Sequence, residues 1–371
     1  MITTDANGTR QSPQQALACD EIGRPEAFAG LGVTWVATVD PVPVTPAVDG
    51  SAGVVADGDT VYASAERLYV ATTRWPETTG DVVPNRAEPT TTAIHSFDLT
   101  GTGDARYVAS GTVPGRLLNQ FSLSEHAGVL RVAATEDDEG FGRPSESAVR
   151  ILRADGDRLV EIGAVAGLGR TEQIHAVRFL GELGYVVTFR QTDPLYVLDL
   201  RDPTAPKRAG ELKIPGYSAY LHPLGDGTLL GVGQDATADG RTTGAQLSLF
   251  DVRDPAAPAR LSTLAVGGQV AAELDHHAFL WWGATGQAVV TVQDWDNDKS
   301  EPELSALVAQ VSPTQIASQG SLRHPQLAGG YPVPVDRALV VDGRLVTISA
   351  NGLLVSDLAT LGQLAWVPFP A

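Results

Sequence analysis

The chain has 371 residues, 43% hydrophobic and 19% charged, enough apolar material for a sizeable core and outside the range of disordered chains. Its formal charge is −18 and no basic run occurs, which disfavours nucleic acid and anionic membrane surfaces as partners. Cys19 is the single cysteine, which excludes a disulfide-stapled fold but not a secreted one, because large secreted domains often do without disulfides.

The start, MITTDANGTRQSPQQALACDEIG, has neither a basic n-region nor an apolar h-region, so no signal peptide is read in it. No run approaches the ~20 apolar residues that cross a bilayer. Residues 1–32 are expected to form an N-terminal extension, poorly ordered or a remnant of an upstream region. Residues 33–56, with WVATVDP at 35–41, read as one or two strands.

From there two series of short β-type runs alternate. The first comprises LYVATTRW (68–75), VLRVAATE (129–136), YVVTFRQ (185–191), LLGVGQD (229–235), AVVTVQD (288–294) and RLVTISAN (344–351). The second follows it run by run: AIHSFDL (93–99), AVRILRA (148–154), LYVLDL (195–200), LSLFDV (247–252), LVAQVS (307–312) and LLVSDL (353–358). Each is rich in Val, Thr, Leu or aromatic residues and ends in polar ones, as strands do. Alignment on Asp98, Arg153, Asp199, Asp251, Gln310 and Asp357 gives steps of 55, 46, 52, 59 and 47 residues.

The most regular unit contains four strand-like runs, YSAYLHPL (217–224), TLLGVGQD (228–235), LSLFDV (247–252) and ARLSTLAV (259–266), separated by Gly and Asp punctuation. Four antiparallel strands every ~50 residues, with no helical periodicity between them, define a propeller blade. The chain is therefore expected to be all-β, a β-propeller of four-stranded antiparallel blades over 33–371. Six full blades and a partial N-terminal one are visible, six or seven in all. VLDLRDPTAPKR (197–208) and LFDVRDPAAPAR (249–260) repeat almost word for word. Both read as a third strand and the turn into the outer strand, with the prolines presetting φ.

TVYASAERLYVATTRW (60–75), LLNQFSLSEHAGVLRVAAT (117–135), FLGELGYVVTFRQTDPLYVLDLRDP (179–203), ELKIPGYSAYLHPLGDGTLLGVGQD (211–235) and LSLFDVRDPAAP (247–258) carry a family resemblance. From about residue 19 onward the chain resembles a bacterial and archaeal family of secreted proteins with a C-terminal β-propeller domain, distantly related to WD-repeat propellers. The resemblance implies the propeller fold and a place outside the cytoplasm, secreted or in the cell envelope. It supplies no catalytic residues.

Candidate sites come from the loops and inner strands. DATADG (235–240) matches the front half of a calcium loop, with Asp235, Thr237 and Asp239 offering side-chain oxygens and Arg241 its carbonyl. Gln246 stands where an EF-hand would have its bidentate Glu, and a plain Asp-Gly hairpin tip is the competing reading. DWDNDKSEPE (294–303) places Asp294, Asp296 and Asp298 in the equivalent loop, and EDDEG (136–140) lies in the same position of the second blade. Their face is thus acidic, a solvated surface or a site for cations or basic partners. Trp75 and Trp295 end strands beside polar loops, as rim residues do, with blade packing as the alternative. His175, His222, His276 and His277 fall near inner strands, as channel groups or as satisfied core histidines. Within a strand, His276 and His277 would point to opposite faces.

No G-x-S-x-G, H-E-x-x-H, P-loop or strand-linked GxGxxG occurs. The expected function is an extracytoplasmic, monomeric binding scaffold that engages a protein or polysaccharide through its loop faces, with calcium assisting. The alternative is a hydrolase or lyase with its site in the central channel.

Overall fold

The computed structural model describes residues 2–5, 8–11, 17–25, 27–40, 47–75, 89–101, 105–138, 143–189, 193–237, 239–294, 302–326 and 332–370. Among them the regular structure is strand and short 3₁₀ turn, with no α-helix. The chain divides into two compact units, residues 1–167 with 203–205, and residues 168–202 with 206–371.

The first unit opens with a hairpin (Ile2–Asp5 and Gly8–Gln11) and a three-stranded sheet. In that sheet Ala47–Val54 lies between Thr34–Asp40, antiparallel, and Ile22–Gly23, parallel. Residues before 33 also pack here: Ala29 is buried and its carbonyl accepts the N–H of Asp57. Blade 1 follows with Thr60–Ala63, Arg67–Arg74, Thr91–Asp98 and Arg106–Pro114. Blade 2 comprises Leu123–His126, Val129–Asp138, Arg143–Asp155 and Arg158–Leu168.

The second unit holds four blades. Blade 3 is Gln173–Leu180, Leu183–Phe189, Asp193–Asp199 and Lys207–Ile214. Blade 4 is Tyr217–Gly225, Thr228–Ala236, Thr242–Asp251 and Ala259–Ala265. In blade 5 the inner strand is split into Gln269–Val270 and Phe279–Trp282, and Gln287–Asp294, Glu303–Val311 and Ile316–Leu322 complete the sheet. Blade 6 is Val335–Val341, Arg344–Ser349, Gly352–Asp357 and Gln363–Pro368. Both series of runs read from the sequence thus fall on the second and third strands of six antiparallel blades, behind a partial N-terminal sheet.

Second and third strands are rich in buried apolar side chains because sheets stack face to face within each unit. Tyr185 and Val197 of blade 3 pack with Leu221, Leu229 and Phe250 of blade 4 in one core cluster. Val289 and Val308 of blade 5 pack with Leu345 and Leu354 of blade 6 in another. In the first unit Tyr69 and Ile94 join Leu130, Val132 and Leu152. Burial of a single such side chain contributes about 1.5–3 kcal/mol, so adjacent blades stabilise each other.

The repeated segment forms the same structure twice. Arg201 forks onto Asp199, and Arg253 onto Asp251, each through Nε and Nη2 to the two carboxylate oxygens. The Asp254 carboxylate then accepts the N–H of Ala256, which closes the turn before the outer strand. That turn rests on the preceding blade. A Cβ at Gly210, in the outer strand of blade 3, would overlap the carbonyls of Pro255 and Ala256. Gly111, in the outer strand of blade 1, is approached in the same way by the Leu159 carbonyl of blade 2. Only a residue without a Cβ permits backbones to come this close.

Candidate functional site

Three inner strands of blades 3, 4 and 6 carry a one-residue bulge near their start. The extra residues are His175, Ala219 and Asp336, which are therefore structurally equivalent. His222 and Arg178 are equivalent in turn, each three residues beyond its bulge. A bulge re-aims the side chains that follow it, here those of the inner strands.

The inner strand of blade 5 departs further. Val270 pairs with Val292 and Phe279 with Val290, so residues 271–278 are inserted opposite Thr291 alone. The insertion folds into two 3₁₀ turns, Ala271–Glu273 and His276–Ala278. Asp275 caps the second by accepting the N–H of His277 at 3.0 Å. His276 and His277 consequently do not alternate across a strand: their ring centroids lie 3.9 Å apart. The sequence reading of this pair as strand residues is corrected, because the Asp cap competes with the ladder for the local backbone. That Asp ahead of the histidine pair is the signal that marks the turn.

The insertion reaches both neighbouring blades. The Glu273 carboxylate accepts the Tyr217 hydroxyl at 3.4 Å and the Gln234 amide, both from blade 4. Burial holds its carboxyl above the usual glutamate range. Asp275 accepts Arg337 of blade 6 at 2.6 Å and shares its other oxygen with His277 Nδ1 at 2.9 Å. These hydrogen bonds hold its carboxyl below the ordinary range, the backbone N–H of His277 contributing most. Among the described residues, Asp275, His276 and His277 form the one group of three His, Cys, Asp or Glu side chains whose possible metal-ligating atoms all lie within 4.8 Å of one another.

Aromatic side chains surround this insertion. Tyr220 lies 5.3 Å from Phe279 and 6.3 Å from His276, centroid to centroid, and the Arg178 guanidinium sits 5.3 Å over its ring. Arg178 also donates Nε–H to the Leu221 carbonyl at 2.9 Å. His222 contacts Phe279 at 4.9 Å and Trp281 at 6.5 Å, and its Nδ1 meets the Tyr220 hydroxyl at 3.1 Å. Burial, helped by the Arg178 charge, pushes the His222 pKa down to about 4, so the ring is neutral at pH 7. Phe279 and Trp281 share this face, while Leu280 and Trp282 turn into the core between blades 5 and 6. The result is a half-buried surface of rings with one guanidinium and the neutral His222 imidazole among them.

His175 lies against Phe189 and Tyr217, at 5.6 and 4.6 Å between centroids, and burial lowers its pKa. The calcium-type loop has a different arrangement. Asp235 is the penultimate residue of its strand and pairs with Gly244. Thr237 donates its hydroxyl to Asp239 at 2.5 Å, its N–H donates to the Arg241 carbonyl at 2.9 Å, and Gly240 N–H returns to the Thr237 carbonyl. The oxygens of Thr237, Asp239 and Arg241 are thus engaged with one another, and the Thr237 hydroxyl does most to hold the Asp239 carboxyl below the ordinary range. Asp294 ends the second strand of blade 5, paired to Glu303. Asp296, Asp298 and Trp295 lie outside the described residues. Trp75 follows the second strand of blade 1 and is 63% exposed.

Residues 3–361 match the family described as "Beta propeller domain". The chain is 42% identical over 190 residues to an uncharacterised protein of Methanocaldococcus jannaschii, which covers 50% of this chain and 29% of that protein. It is 45% identical over 170 residues to one of Archaeoglobus fulgidus, covering 46% and 25%. The matched part therefore spans less than a third of the length of these curated relatives. Among solved structures, Saccharomyces cerevisiae Sqt1 aligns with 83% of this chain and 84% of its own, at 11% identity and a TM-score of 0.48. No helix among the described residues is long and apolar enough to cross a membrane.

Proposed function

The chain belongs to the Beta propeller domain family, and from that premise we propose that it is an extracytoplasmic binding module for a protein or polysaccharide ligand. One observation carries the reading. The inner strands of the second unit gather Tyr220, His222, Phe279 and Trp281 around Arg178 as a half-buried aromatic surface. Rings with a guanidinium at their edge supply contact area at low conformational cost and are the usual anchors of binding surfaces. The resemblance to secreted propeller proteins supports placement outside the cytoplasm. Recovery of the full-length gene product in the cytosolic fraction alone would remove that part.

Trp281→Ala is the direct test. Truncation of an anchor of this kind costs upwards of about 1.4 kcal/mol, tenfold in affinity. On a glycan array, and in capture from envelope extract, the variant should lose at least that much signal relative to wild type at an unchanged fold. Equal signal in both assays would sink the aromatic surface as the binding face.

Calcium enters the same proposal through Asp235, Thr237, Asp239 and Arg241. An ion there must displace the hydrogen bonds between Thr237, Asp239 and Arg241. Thermal melts with calcium and with EDTA decide it: a bound ion raises the midpoint by mass action, and coincident curves remove calcium from the account.

A second reading, hydrolase or lyase, is favoured by the His277–Asp275 pair at 2.9 Å, in which a carboxylate orients an imidazole. Turnover of a captured ligand that disappears in His277→Ala, with capture retained, would replace the binding reading by this one.

A further inference from the structure

The inserted turns of blade 5 gather side chains that an extended strand would keep apart. Consecutive strand residues point to opposite faces of the sheet. His276 and His277 instead lie side by side in the 3₁₀ turn that Asp275 caps, with ring centroids 3.9 Å apart. One possible ligand atom from each of Asp275, His276 and His277 lies within 4.8 Å of the other two. The side chains of His277 and Asp275 are 67% and 41% exposed, so the group is open to solvent.

Distances decide what this trio can hold. A transition ion keeps nitrogen and oxygen ligands at about 2.0–2.2 Å, which sets neighbouring donors about 2.9–3.4 Å apart. His277 Nδ1 and Asp275 Oδ1 are 2.9 Å apart. An ion can therefore replace the proton that this pair shares. The exchange releases no proton from a neutral imidazole, whose N–H passes to Nε2. The other carboxylate oxygen, Oδ2, accepts Arg337 at 2.6 Å. That contact fixes the carboxylate and leaves Oδ1 to the histidines, as partners behind metal ligands do.

We propose that Asp275, His276 and His277 bind a divalent first-row transition ion of the zinc class. Two imidazole nitrogens and one carboxylate oxygen suit Zn²⁺, Co²⁺ or Ni²⁺, whereas Ca²⁺ and Mg²⁺ call for a shell of oxygens. The loop from Asp235 to Arg241 offers oxygens alone, so the two sites differ in the ion they select. Three protein ligands leave coordination positions for water or a ligand, the pattern of catalytic rather than structural sites. The Tyr220 ring lies 6.3 Å from that of His276, which puts the ion beside the aromatic surface. The Arg337 charge opposes that of the ion, so the affinity expected is micromolar, below that of a closed zinc site. Metal binding is read without any organic ligand, so its outcome and that of the aromatic binding face are separable.

The test is calorimetry of the whole, tag-free chain, stripped with EDTA and titrated with Zn²⁺. One ion per chain is expected, undisturbed by millimolar Ca²⁺ or Mg²⁺. Co²⁺, which is paramagnetic, should broaden the ring resonances of His276 and His277 first. His277→Ala removes an exposed ring that the core does not use. Asp275→Asn keeps an acceptor for the His277 N–H, and hence the turn, while removing the charge. Each should weaken Zn²⁺ binding about tenfold or more, with Asp239→Ala, in the calcium-type loop, leaving it unchanged. No saturable heat up to about 1 mM Zn²⁺ overturns the proposal. So does an affinity unchanged in either variant, displacement of Zn²⁺ by equimolar Ca²⁺, or Zn²⁺ binding lost in Asp239→Ala.

Discussion

Gly210→Val is expected to lower the melting midpoint by several degrees, and Gly210→Ala by somewhat less. Gly210 lies in the outer strand of blade 3 beside a bulge, paired with Val197. It is not among the glycines with positive φ, so an L-residue meets no backbone penalty there. The cost is contact alone. The new Cβ would occupy the space of the Pro255 and Ala256 carbonyls, which belong to a turn held by Asp254. Backbone cannot rotate aside as a side chain can. Either the turn shifts and weakens its capping bond, or the outer strand leaves its ladder. Overpacking of this kind costs about 1–3 kcal/mol. A thermal melt checks it, and a midpoint equal to wild type for the valine variant would show that the turn does not rest on the strand.

Acidification should destabilise the protein well before its carboxylates protonate. His95 and His222 both have pKa values pushed from 6.5 down to about 4 by burial. The unfolded chain takes up these protons below about pH 6.5, while the folded chain refuses them until about pH 4. Stability is therefore full above 6.5 and falls across that window. A depression of this size is worth roughly 3 kcal/mol per histidine. His175, His276 and His324 are lowered too and act in the same direction. Glu273 opposes them, since a carboxyl raised by burial stabilises the fold when protonated. Asp98 and Asp199, pulled down to about 2 chiefly by their bonds to Thr100 and Arg201, contribute only below 3.8. Melts between neutral pH and pH 4 should show the decline, and His222→Phe should flatten part of it. A midpoint constant across the window would mean that these imidazoles are not desolvated in solution.

The blade pattern was legible because the second and third strands must be rich in apolar side chains and must end in polar turns, both local signals. YVVTFRQ (185–191) and LLGVGQD (229–235) alone place Leu183–Phe189 and Thr228–Ala236 within two residues. The correspondence of His175 with Ala219 and of His222 with Arg178 could also be read from spacing, since the bulges preserve it. Three things could not. The inserted turns at 271–278 replace an inner strand, and LDHHAFLWW carries enough apolar residues to imitate one. Tyr217 of blade 4 reaches Glu273, and Arg337 of blade 6 reaches Asp275, pairings between blades that no local window contains. His95 sits in HSFDL like any core residue. That both nitrogens of its fully buried ring lack a hydrogen-bond partner among the described residues is set by neighbours outside that window.

The joint at Gly111 and Gly210 also divides the chain by its tolerance of length change. A fastener made of backbone against backbone is indifferent to side-chain identity but not to spacing: one residue added to the turn moves the carbonyl off the glycine. The duplicated stretches keep that spacing, with the turns at 200–206 and 252–258 equal in length. On the opposite side of the blades, the gap between second and third strands runs from 75–90 in blade 1 to 350–351 in blade 6. That side tolerates changes of length, so it is where an engineered insertion should be placed.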